Sequence, residues 1–406
     1  MKIIHSLLNR KNNLAVVIAT LLFEQPLFPI SVELVGKWPG DNSIQATYIA
    51  LSGNYLYLST INNGLKVIDI SNPSNPVKIS EYSLFSGGNN VILSSNNLYV
   101  SEWNRGFEII DASNPTNLVQ IGRYNTTGNC WYIAVSGNYA YLATDFYGLE
   151  IIDISNPSNL VQVGVYDTPS IATSVEVRGN YAYIGDSWDG FYIIDVSNPA
   201  HPVKKGNYDT PDRAYKVNVS GNYAYVADWY GGLEIFDISN PAVPVPVGTC
   251  DTPGAARDVY VAGNYAYIAD TDGGLRVVNI KEPSNPVPVN LIIDGYTNCN
   301  AHSVVVLGDY IYMADLNWGL LIFHILPPII TIRDIKMENG LLNFMFYADR
   351  IDTNTITLES ISLLGSQRPW ETVTNINITT VGDKTFKAKL QPDNKLRFYR
   401  ARATVE

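Results

Sequence analysis

The sequence predicts an all-β fold: a seven-bladed β-propeller of four-stranded blades, followed by a small β-sandwich. Three observations support this prediction: an internal repeat of 42 residues, short apolar runs bounded by turn residues, and no helical periodicity between them. Four short strands in a period of about 40 to 45 residues are typical of a propeller blade. The predicted domains are residues 31–326 for the propeller and 327–406 for the sandwich, after an N-terminal segment of residues 1–30.

The repeat is marked by the segment Gly-Asn-Tyr-x-Tyr. It starts at Gly53, Gly137, Gly179, Gly221 and Gly263, with degenerate copies at Ser95 and Gly308, in steps of 42, 42, 42, 42, 42 and 45 residues. Each start is followed by an apolar strand that ends at a turn, usually Asn-Pro. In the fifth copy, runs of β-branched and aromatic residues predict strands at 215–219, 223–228, 232–238 and 244–249.

The two ends of the array predict how the ring closes. The last copy has three strands, near residues 302–307, 310–315 and 319–325, and no turn motif leading to a fourth. The segment Ser31-Val-Glu-Leu-Val-Gly-Lys-Trp38 matches the fourth-strand pattern Val161-Gln-Val-Gly-Val-Tyr166. We therefore expect the N-terminal strand to complete the seventh blade, which leaves no open sheet edge.

The third strand of the repeat resembles a known family. Leu149-Glu-Ile-Ile-Asp153 and Leu275-Arg-Val-Val-Asn279 are similar to the LVIVD repeat of bacterial and archaeal surface-associated β-propellers. The resemblance covers about residues 32–325 and implies the propeller fold, without a settled activity. The sequence departs from the repeat at Asn279 and His324, which stand in place of Asp.

The first 30 residues have the pattern of a secretory leader. Three basic residues precede an apolar run at 14–23, which is too short to span a bilayer. No small-x-small pair marks a cleavage site, so a cleaved signal peptide and an uncleaved anchor both stay open. Either one predicts an extracellular, periplasmic or cell-surface location.

Charge and cysteine content limit the partners and the covalent framework. The formal charge is -11, and residues 1–30 and 327–406 carry +2 each, which leaves -15 on residues 31–326. This acidity disfavours nucleic acid and anionic membranes, so membrane contact is expected only through an uncleaved N-terminal segment. Cys130, Cys250 and Cys299 permit at most one disulfide bond.

Residues that recur in every blade are expected to serve the blade. An aspartate stands just before the turn in five copies, where its carboxylate can accept backbone N–H bonds: Asp69, Asp111, Asp153, Asp195 and Asp237. The Gly-Asn pairs are predicted to form hairpins with positive φ.

The loops between the second and third strands differ in every copy, and five of the seven contain an aromatic residue. Aromatic rings beside amides and carboxylates suit sugar rings or peptide segments. The candidate ligand-binding residues on this face are Trp103, Trp131, Phe146, Tyr147, Trp188, Asp189, Arg213, Trp229, Tyr230, Arg257, Asp272, His302 and Trp318. The alternative is that these aromatic side chains wedge between neighbouring blades.

The sequence predicts no catalytic residue, cofactor or metal site. The segment 185–189 lacks the final glycine of a nucleophile elbow. Asp270-Thr-Asp-Gly273 is similar to the start of a calcium loop, but Lys281 stands where the loop needs glutamate. A turn-capping role is predicted for four aspartates that share one strand end, with a cation on the acidic rim as the alternative: Asp186, Asp228, Asp270 and Asp315.

The predicted function is non-enzymatic: an exported binding or scaffold protein that recognises a glycan or protein on the variable loops. The alternative is a lyase or hydrolase over the central channel, which a deep pocket joining His302 to Arg213 or Arg257 and a carboxylate would favour. A purely structural spacer predicts no clustering of the variable aromatics. The C-terminal segment resembles immunoglobulin- or fibronectin-like modules, which implies attachment or spacing, with a stabilising lid as the alternative.

Overall fold

The computed structural model describes residues 31–39, 44–289 and 298–326, together with seven strands between residues 330 and 403. The predicted leader lies outside the described residues. Val32–Ile325 form one compact unit, and the C-terminal residues that begin at Leu326 belong to another.

The larger unit is built from seven four-stranded antiparallel sheets, the blades, which follow one another along the chain. The chain enters through β1 (Ser31–Trp38). Blades 1 and 2 contain β2 (Ala46–Ser52), β3 (Tyr55–Thr60), β4 (Gly64–Asp69), β5 (Val77–Tyr82), β6 (Gly88–Ser94), β7 (Asn97–Glu102), β8 (Gly106–Asp111) and β9 (Val119–Tyr124). Blades 3 and 4 contain β10 (Tyr132–Ser136), β11 (Tyr139–Ala143), β12 (Leu149–Asp153), β13 (Val161–Tyr166), β14 (Ser174–Arg178), β15 (Tyr181–Gly185), β16 (Phe191–Asp195) and β17 (Val203–Tyr208).

Blades 5 to 7 repeat this order. They contain β18 (Lys216–Ser220), β19 (Tyr223–Ala227), β20 (Leu233–Asp237), β21 (Val245–Cys250), β22 (Asp258–Ala262), β23 (Tyr265–Ala269), β24 (Leu275–Asn279), β25 (Val287–Val289), β26 (Ala301–Leu307), β27 (Tyr310–Asp315) and β28 (Gly319–Leu326). The strand bounds predicted for the fifth copy lie within one residue of β18 to β21. The seven-bladed, all-β propeller prediction is confirmed.

Ring closure by the N-terminal strand is also confirmed. The seventh sheet has the order β1-β28-β27-β26, so β1 is its fourth strand. A Cβ atom added at Gly36 in β1 would lie 2.0 Å from the carbonyl oxygen of Pro73 in blade 1. Gly164 in blade 3 stands in the same relation to Pro199 in blade 4, also at 2.0 Å. The closing junction therefore uses the same close backbone approach as an internal junction.

The hydrophobic core lies between adjacent blades rather than at the centre of the ring. Leu149 and Ile151 of blade 3, for example, pack in one cluster with Ile184 and Ile194 of blade 4. Each blade thus buries both faces of its sheet against its neighbours, and its second and third strands are buried almost throughout, as in blade 3. Two-sided burial leaves few positions for ions, which accounts for the charged share of only 16%.

The C-terminal residues form two further sheets. Their strands are β29 (Ile330–Glu338), β30 (Leu341–Ala348), β31 (Ile356–Ser362), β32 (Glu371–Thr372), β33 (Asn377–Thr380), β34 (Thr385–Leu390) and β35 (Arg397–Ala403). The sheet orders are β29-β30-β34-β33 and β32-β31-β35. The packing of these two sheets as a β-sandwich stays a prediction.

Candidate ligand-binding face

Strand direction gives the propeller two different faces. The constant face holds the hairpins between first and second strands and the turns between third and fourth strands. In blade 3, Ser155 N donates to Asp153 Oδ1 at 2.8 Å, and Ile154 N donates to the Asn138 carbonyl at 2.8 Å. Hydrogen bonds from Ser155 lower the pKa of the Asp153 carboxyl. The carboxylate bond recurs at Asp69, Asp111, Asp195 and Asp237, which confirms the turn role.

The variable face holds the loops between second and third strands and the segments that enter each first strand. Successive blades join there through backbone hydrogen bonds: Ala172 N to the Asp145 carbonyl at 3.0 Å, and Ala214 N to the Ser187 carbonyl at 3.0 Å. The first loop residue adopts positive φ at Asp145, Ser187, Trp229 and Thr271, between 37° and 54°. Left-handed backbone at non-glycine residues is costly and is found often at functional sites. The loops are thus fixed platforms for their side chains.

Buried carboxylates fix these platforms to the blades. Asp186 is 0% exposed; its Oδ1 accepts from the Thr168 hydroxyl at 2.5 Å and its Oδ2 accepts from Ser170 N at 3.0 Å. Asp228 repeats the pattern: its Oδ1 accepts from the Thr210 hydroxyl at 2.5 Å, and its Oδ2 accepts from Asp212 N at 2.9 Å. Burial raises the pKa of both carboxyls to about 6. The capping role predicted for these aspartates is confirmed.

One repeat position at the start of each first strand, either its second residue or the residue just before it, surrounds the channel entrance, and we call this set the mouth ring. Its members are Thr47, Asn89, Trp131, Thr173, Tyr215, Arg257 and His302. The aromatic members connect to loop residues. Trp103 and Trp131 have ring centroids 4.4 Å apart, Trp131 and Tyr215 6.4 Å apart, and Tyr215 stacks on Trp229 at 4.9 Å. An arc of four aromatic rings therefore crosses blades 2, 3 and 5.

Two arginines rest on aromatic rings of this face. The guanidinium of Arg213 lies 3.8 Å from the ring centroid of Trp188, and that of Arg257 lies 5.0 Å from Tyr215. Neither arginine joins an ion pair among the described residues. Cation–π contacts hold a guanidinium in place without neutralising it. The face thus presents positive charge in a domain of formal charge -15.

The structure brings some predicted site residues together and leaves others apart. Trp103, Trp131, Trp188, Arg213, Trp229, Tyr230 and Arg257 are linked through the ring contacts. Phe146 and Tyr147 are exposed on blade 3, Asp189 and Asp272 lie on separate loops, and Trp318 is half-buried. Lys37 lies 5.2 Å from the ring centroid of Trp318.

The wedge alternative holds in part. Trp131, Trp229 and Trp318 are half-buried, whereas Trp103 and Trp188 are 42% and 57% exposed. Tyr215 joins the arc and was missed in the sequence, although it occupies the same repeat position as Trp131. Comparing the seven copies at that position would have found it.

A cleft of about 480 Å³ opens on the variable face beside the mouth ring. Its walls come from blades 1, 2, 3, 6 and 7, and include Asn89, Trp103, Trp131, Arg257 and His302. No carboxylate is among its described lining residues. The cleft joins four predicted site residues with Asn89, which the sequence reasoning did not select.

His302 lines this cleft, but its side chain is buried. It is 3% exposed, and its Nδ1 lies 3.1 Å from the Thr47 carbonyl, so Nδ1 carries the proton in this contact. Its ring lies edge-on to Tyr48 at 5.4 Å. Burial, with the nearby Arg257 charge, lowers the pKa of His302 well below its usual value. The imidazole is therefore neutral at pH 7.

The central channel below the mouth ring is polar. A cavity of about 320 Å³ is lined by the first strands of the blades, including Glu176, Arg178, Lys216, Asn218 and Asp258. Glu176 accepts from Arg178 Nε at 2.8 Å and from Asn218 Nδ2 at 2.9 Å. Asp258 Oδ2 accepts from Val304 N of the next blade at 3.0 Å. Glu176 and Asp258 therefore each form a hydrogen bond to the next blade, which is a structural role.

The described part of the chain lacks a metal-binding cluster and a membrane-spanning helix. It holds no group of three or more His, Cys, Asp or Glu side chains arranged to bind a metal ion. Cys130 and Cys250 are buried free thiols, and Cys299 is buried with its Sγ 3.1 Å from the Asp272 carbonyl oxygen. Within those same residues, no helix has the length and apolar character needed to cross a bilayer.

The fold and its two faces define a repeat β-propeller whose constant face is the same in most blades and whose variable face differs between blades. The LVIVD repeat matches residues 45–83, 88–126, 127–168, 169–210, 212–252, 253–292 and 299–325. The chain belongs to the LVIVD-repeat family. No curated protein matches the sequence. The crystal structure of the computationally designed Ika8 protein is similar in fold, with a TM-score of 0.53 and 11% identity over 77% of this chain and 96% of that one.

Proposed function

We propose that the protein is an exported, non-enzymatic binding protein of the cell surface that recognises a glycan or protein partner on the variable face. The observation that supports this most directly is the clustering on the variable face of four tryptophans, Trp103, Trp131, Trp188 and Trp229, with Arg213 and Arg257, neither of which joins an ion pair among the described residues. Trp103, Trp131 and Arg257 line the cleft. A structural spacer would gain nothing from grouping side chains that differ between blades. Rigid aromatic and arginine side chains are the groups that dominate recognition surfaces.

The chemistry of the cleft supports binding over the alternative, a lyase or hydrolase over the channel. A general acid or base must lie within hydrogen-bond reach of the proton that it transfers, and its ring or carboxyl atoms must be free to do so. His302 and Arg257 do share the cleft, but its described lining contains no carboxylate, and His302 Nδ1 is held by a carbonyl. Recognition through stacking and hydrogen bonds needs neither an acid nor a base.

The flanking segments support the proposed location. The basic and apolar N-terminal residues 1–30 serve export or anchoring, and the C-terminal β-sandwich serves attachment or spacing. The acidity of the propeller makes a nucleic acid or an anionic membrane surface an unfavourable partner.

Binding can be tested with the full-length chain on arrays of glycans and surface-protein peptides. We expect Trp103→Ala and Trp188→Ala each to reduce binding of the same ligand by about tenfold, because each removes an exposed stacking surface. Val119→Ala is the matched control, since Val119 is 48% exposed on the outer strand of a blade. Unchanged binding in both tryptophan variants would reject the variable face as the site. Release of glycan fragments or cleaved peptides would favour the enzyme alternative.

A further inference from the structure

Two glycines form part of the wall of the cleft on the variable face. The two residues before the mouth ring are Gly87 and Gly88 in blade 2, and no other copy has glycine at both positions. Gly87 has a φ of 77°, and a Cβ atom there would lie 1.7 Å from the Ile61 carbonyl oxygen. The backbone of blade 2 therefore lies directly against the loop of blade 1. This part of the cleft wall is therefore formed by backbone.

Unsatisfied hydrogen-bond donors line the cleft. Asn89 is 8% exposed, and its Nδ2 has no hydrogen-bond partner. Arg257 Nε and the Ser86 hydroxyl are also buried without a partner, and both residues line the same cleft. A buried donor without an acceptor is unfavourable, and native proteins keep few of them. Two of these atoms can only donate, so the missing partner is rich in acceptor oxygens.

The charge of the cleft specifies those acceptors further. Arg257 is the only charged residue in the described lining, and it joins no ion pair among the described residues. An unpaired guanidinium in a domain of formal charge -15 attracts an anion locally while the surrounding surface repels anions. A carboxylate matches a guanidinium in geometry as well as in charge.

The remaining lining fits a hydroxylated ring. Trp103 and Trp131 present two aromatic side chains at the cleft wall, and the exposed amides of Asn62 and Asn104 lie at its edge. Aromatic rings stack on the apolar face of a sugar, while amides bond to its hydroxyl groups. A volume of about 480 Å³ is within the usual size range of a small-ligand site.

We propose that this cleft binds the carboxylate-bearing sugar of an acidic polysaccharide, with Arg257 and Asn89 on the carboxylate and the two tryptophans on the ring. This inference rests on the proposed function and deepens it, because it names the ligand class. The carboxylate supplies the acceptors that the buried donors lack, and the ring accounts for the aromatic walls. An acidic peptide would satisfy Arg257 but would make no use of paired stacking surfaces.

The test is calorimetric titration of the full-length chain with short oligomers of galacturonate, glucuronate and mannuronate. The matched probes are the methyl esters of the same oligomers, which keep the ring and remove the charge. We expect binding of at least one acidic oligomer, at least tenfold tighter than its ester. Arg257→Gln should weaken that binding at least tenfold and abolish the preference over the ester.

Asn89→Ala separates a binding role from a structural one. Because its Nδ2 has no partner, we expect the variant to weaken binding of the acidic oligomer about fivefold with an unchanged or higher melting temperature. Lys204→Gln is the control, since Lys204 is exposed on the outer strand β17 and does not line the cleft. It should leave binding of the acidic oligomer within twofold. If Arg257→Gln does not fold, Arg257→Lys keeps the charge, removes the Nε donor and should still weaken binding.

The outcomes distinguish this inference from the proposed function. Binding of a neutral glycan that depends on Trp103 and not on Arg257 would overturn the inference and leave the proposed function standing. Tighter Arg257-dependent binding of polyglutamate than of any acidic oligomer would overturn the sugar class. No binding of any of these probes would overturn the inference, while the tryptophan variants on the arrays decide the proposed function separately.

Discussion

The constant and variable faces are built by the same repeat, yet their polar groups are satisfied in different ways. On the constant face, a carboxylate such as Asp153 bonds to a backbone N–H two residues away. On the variable face, a carboxylate such as Asp228 is 0% exposed and bonds to a hydroxyl 18 residues away in the sequence. The constant face is thus held by hydrogen bonds within one turn. The variable face is held by buried hydrogen bonds beneath its loops, so the loop side chains themselves can differ between blades.

Glycines show the same contrast within one blade. Gly137 in the constant-face hairpin has a φ of 57° and no atom within 4 Å of an added Cβ. Gly148 at the start of β12 has a φ of 69°, and an added Cβ would lie 2.3 Å from the Tyr166 carbonyl oxygen and 2.5 Å from Thr168 N. Both need left-handed backbone, but only the variable-face glycine is also enclosed by backbone. The scaffold beneath the varied loops is thus more constrained than the hairpins.

The largest expected effect tests this contrast directly. Gly148→Ala should destabilise the protein by about 3 kcal/mol or more, because a backbone clash adds to the cost of positive φ. Gly137→Ala should cost about 1 to 2 kcal/mol, from the left-handed conformation alone. Denaturant titration of both variants measures the difference. Equal losses would show that enclosure at the variable face adds nothing.

A second expectation concerns pH. The pKa of Asp228 is raised to about 6, so its contribution to stability is greatest below pH 4 and is lost as the pH rises through 6. Asp228→Asn removes this titration. We expect the stability difference between variant and wild type to shift by about 1 to 3 kcal/mol in favour of the variant from pH 4 to pH 7. Unfolding curves at both pH values measure the shift, and a shift in the other direction would refute the burial effect.

Asp153 provides the opposite sign on the constant face. Its pKa is lowered by hydrogen bonds from Ser155, so its contribution is present at neutral pH and is lost as the pH falls through the folded-state pKa. Asp153→Asn should therefore be less stable than wild type at pH 7 and approach it at pH 3. A smaller change than that of Asp228→Asn is expected, because the carboxylate is in solvent. A difference that grows on acidification would contradict the assignment.

The smallest effect is expected at the exposed loop residues. Tyr230 is 73% exposed, and Tyr230→Ala should change the free energy of unfolding by less than about 0.5 kcal/mol. The measurement compares the melting temperatures of Tyr230→Ala and Gly148→Ala. It shows how much less a varied loop side chain contributes to stability than a repeated glycine of the blade. A large loss at Tyr230 would mean that the variable aromatics are structural wedges.

Much of the fold was predictable from the sequence, and much less of the site. The 42-residue period gave the blade number, and the match between residues 31–38 and 161–166 gave the closing strand. Trp131 and Arg257 were selected because they vary between copies. Their contacts were not predictable: Tyr215, 84 residues from Trp131, links the two through its ring. The sequence placed His302 on the variable face but did not predict that it is buried against the Thr47 carbonyl, a contact that forms because ring closure brings blade 7 beside blade 1.

The sequence by itself determined the repeat, the turns and the distinction between repeated and varied residues, because these depend on local backbone preferences and on the two-sided burial of each strand. Only the tertiary structure decided which varied residues meet. The cleft joins Asn89 to Arg257 and His302 across the closed ring. Such contacts depend on how side chains of distant blades fill one shared volume, and no local period in the chain encodes that.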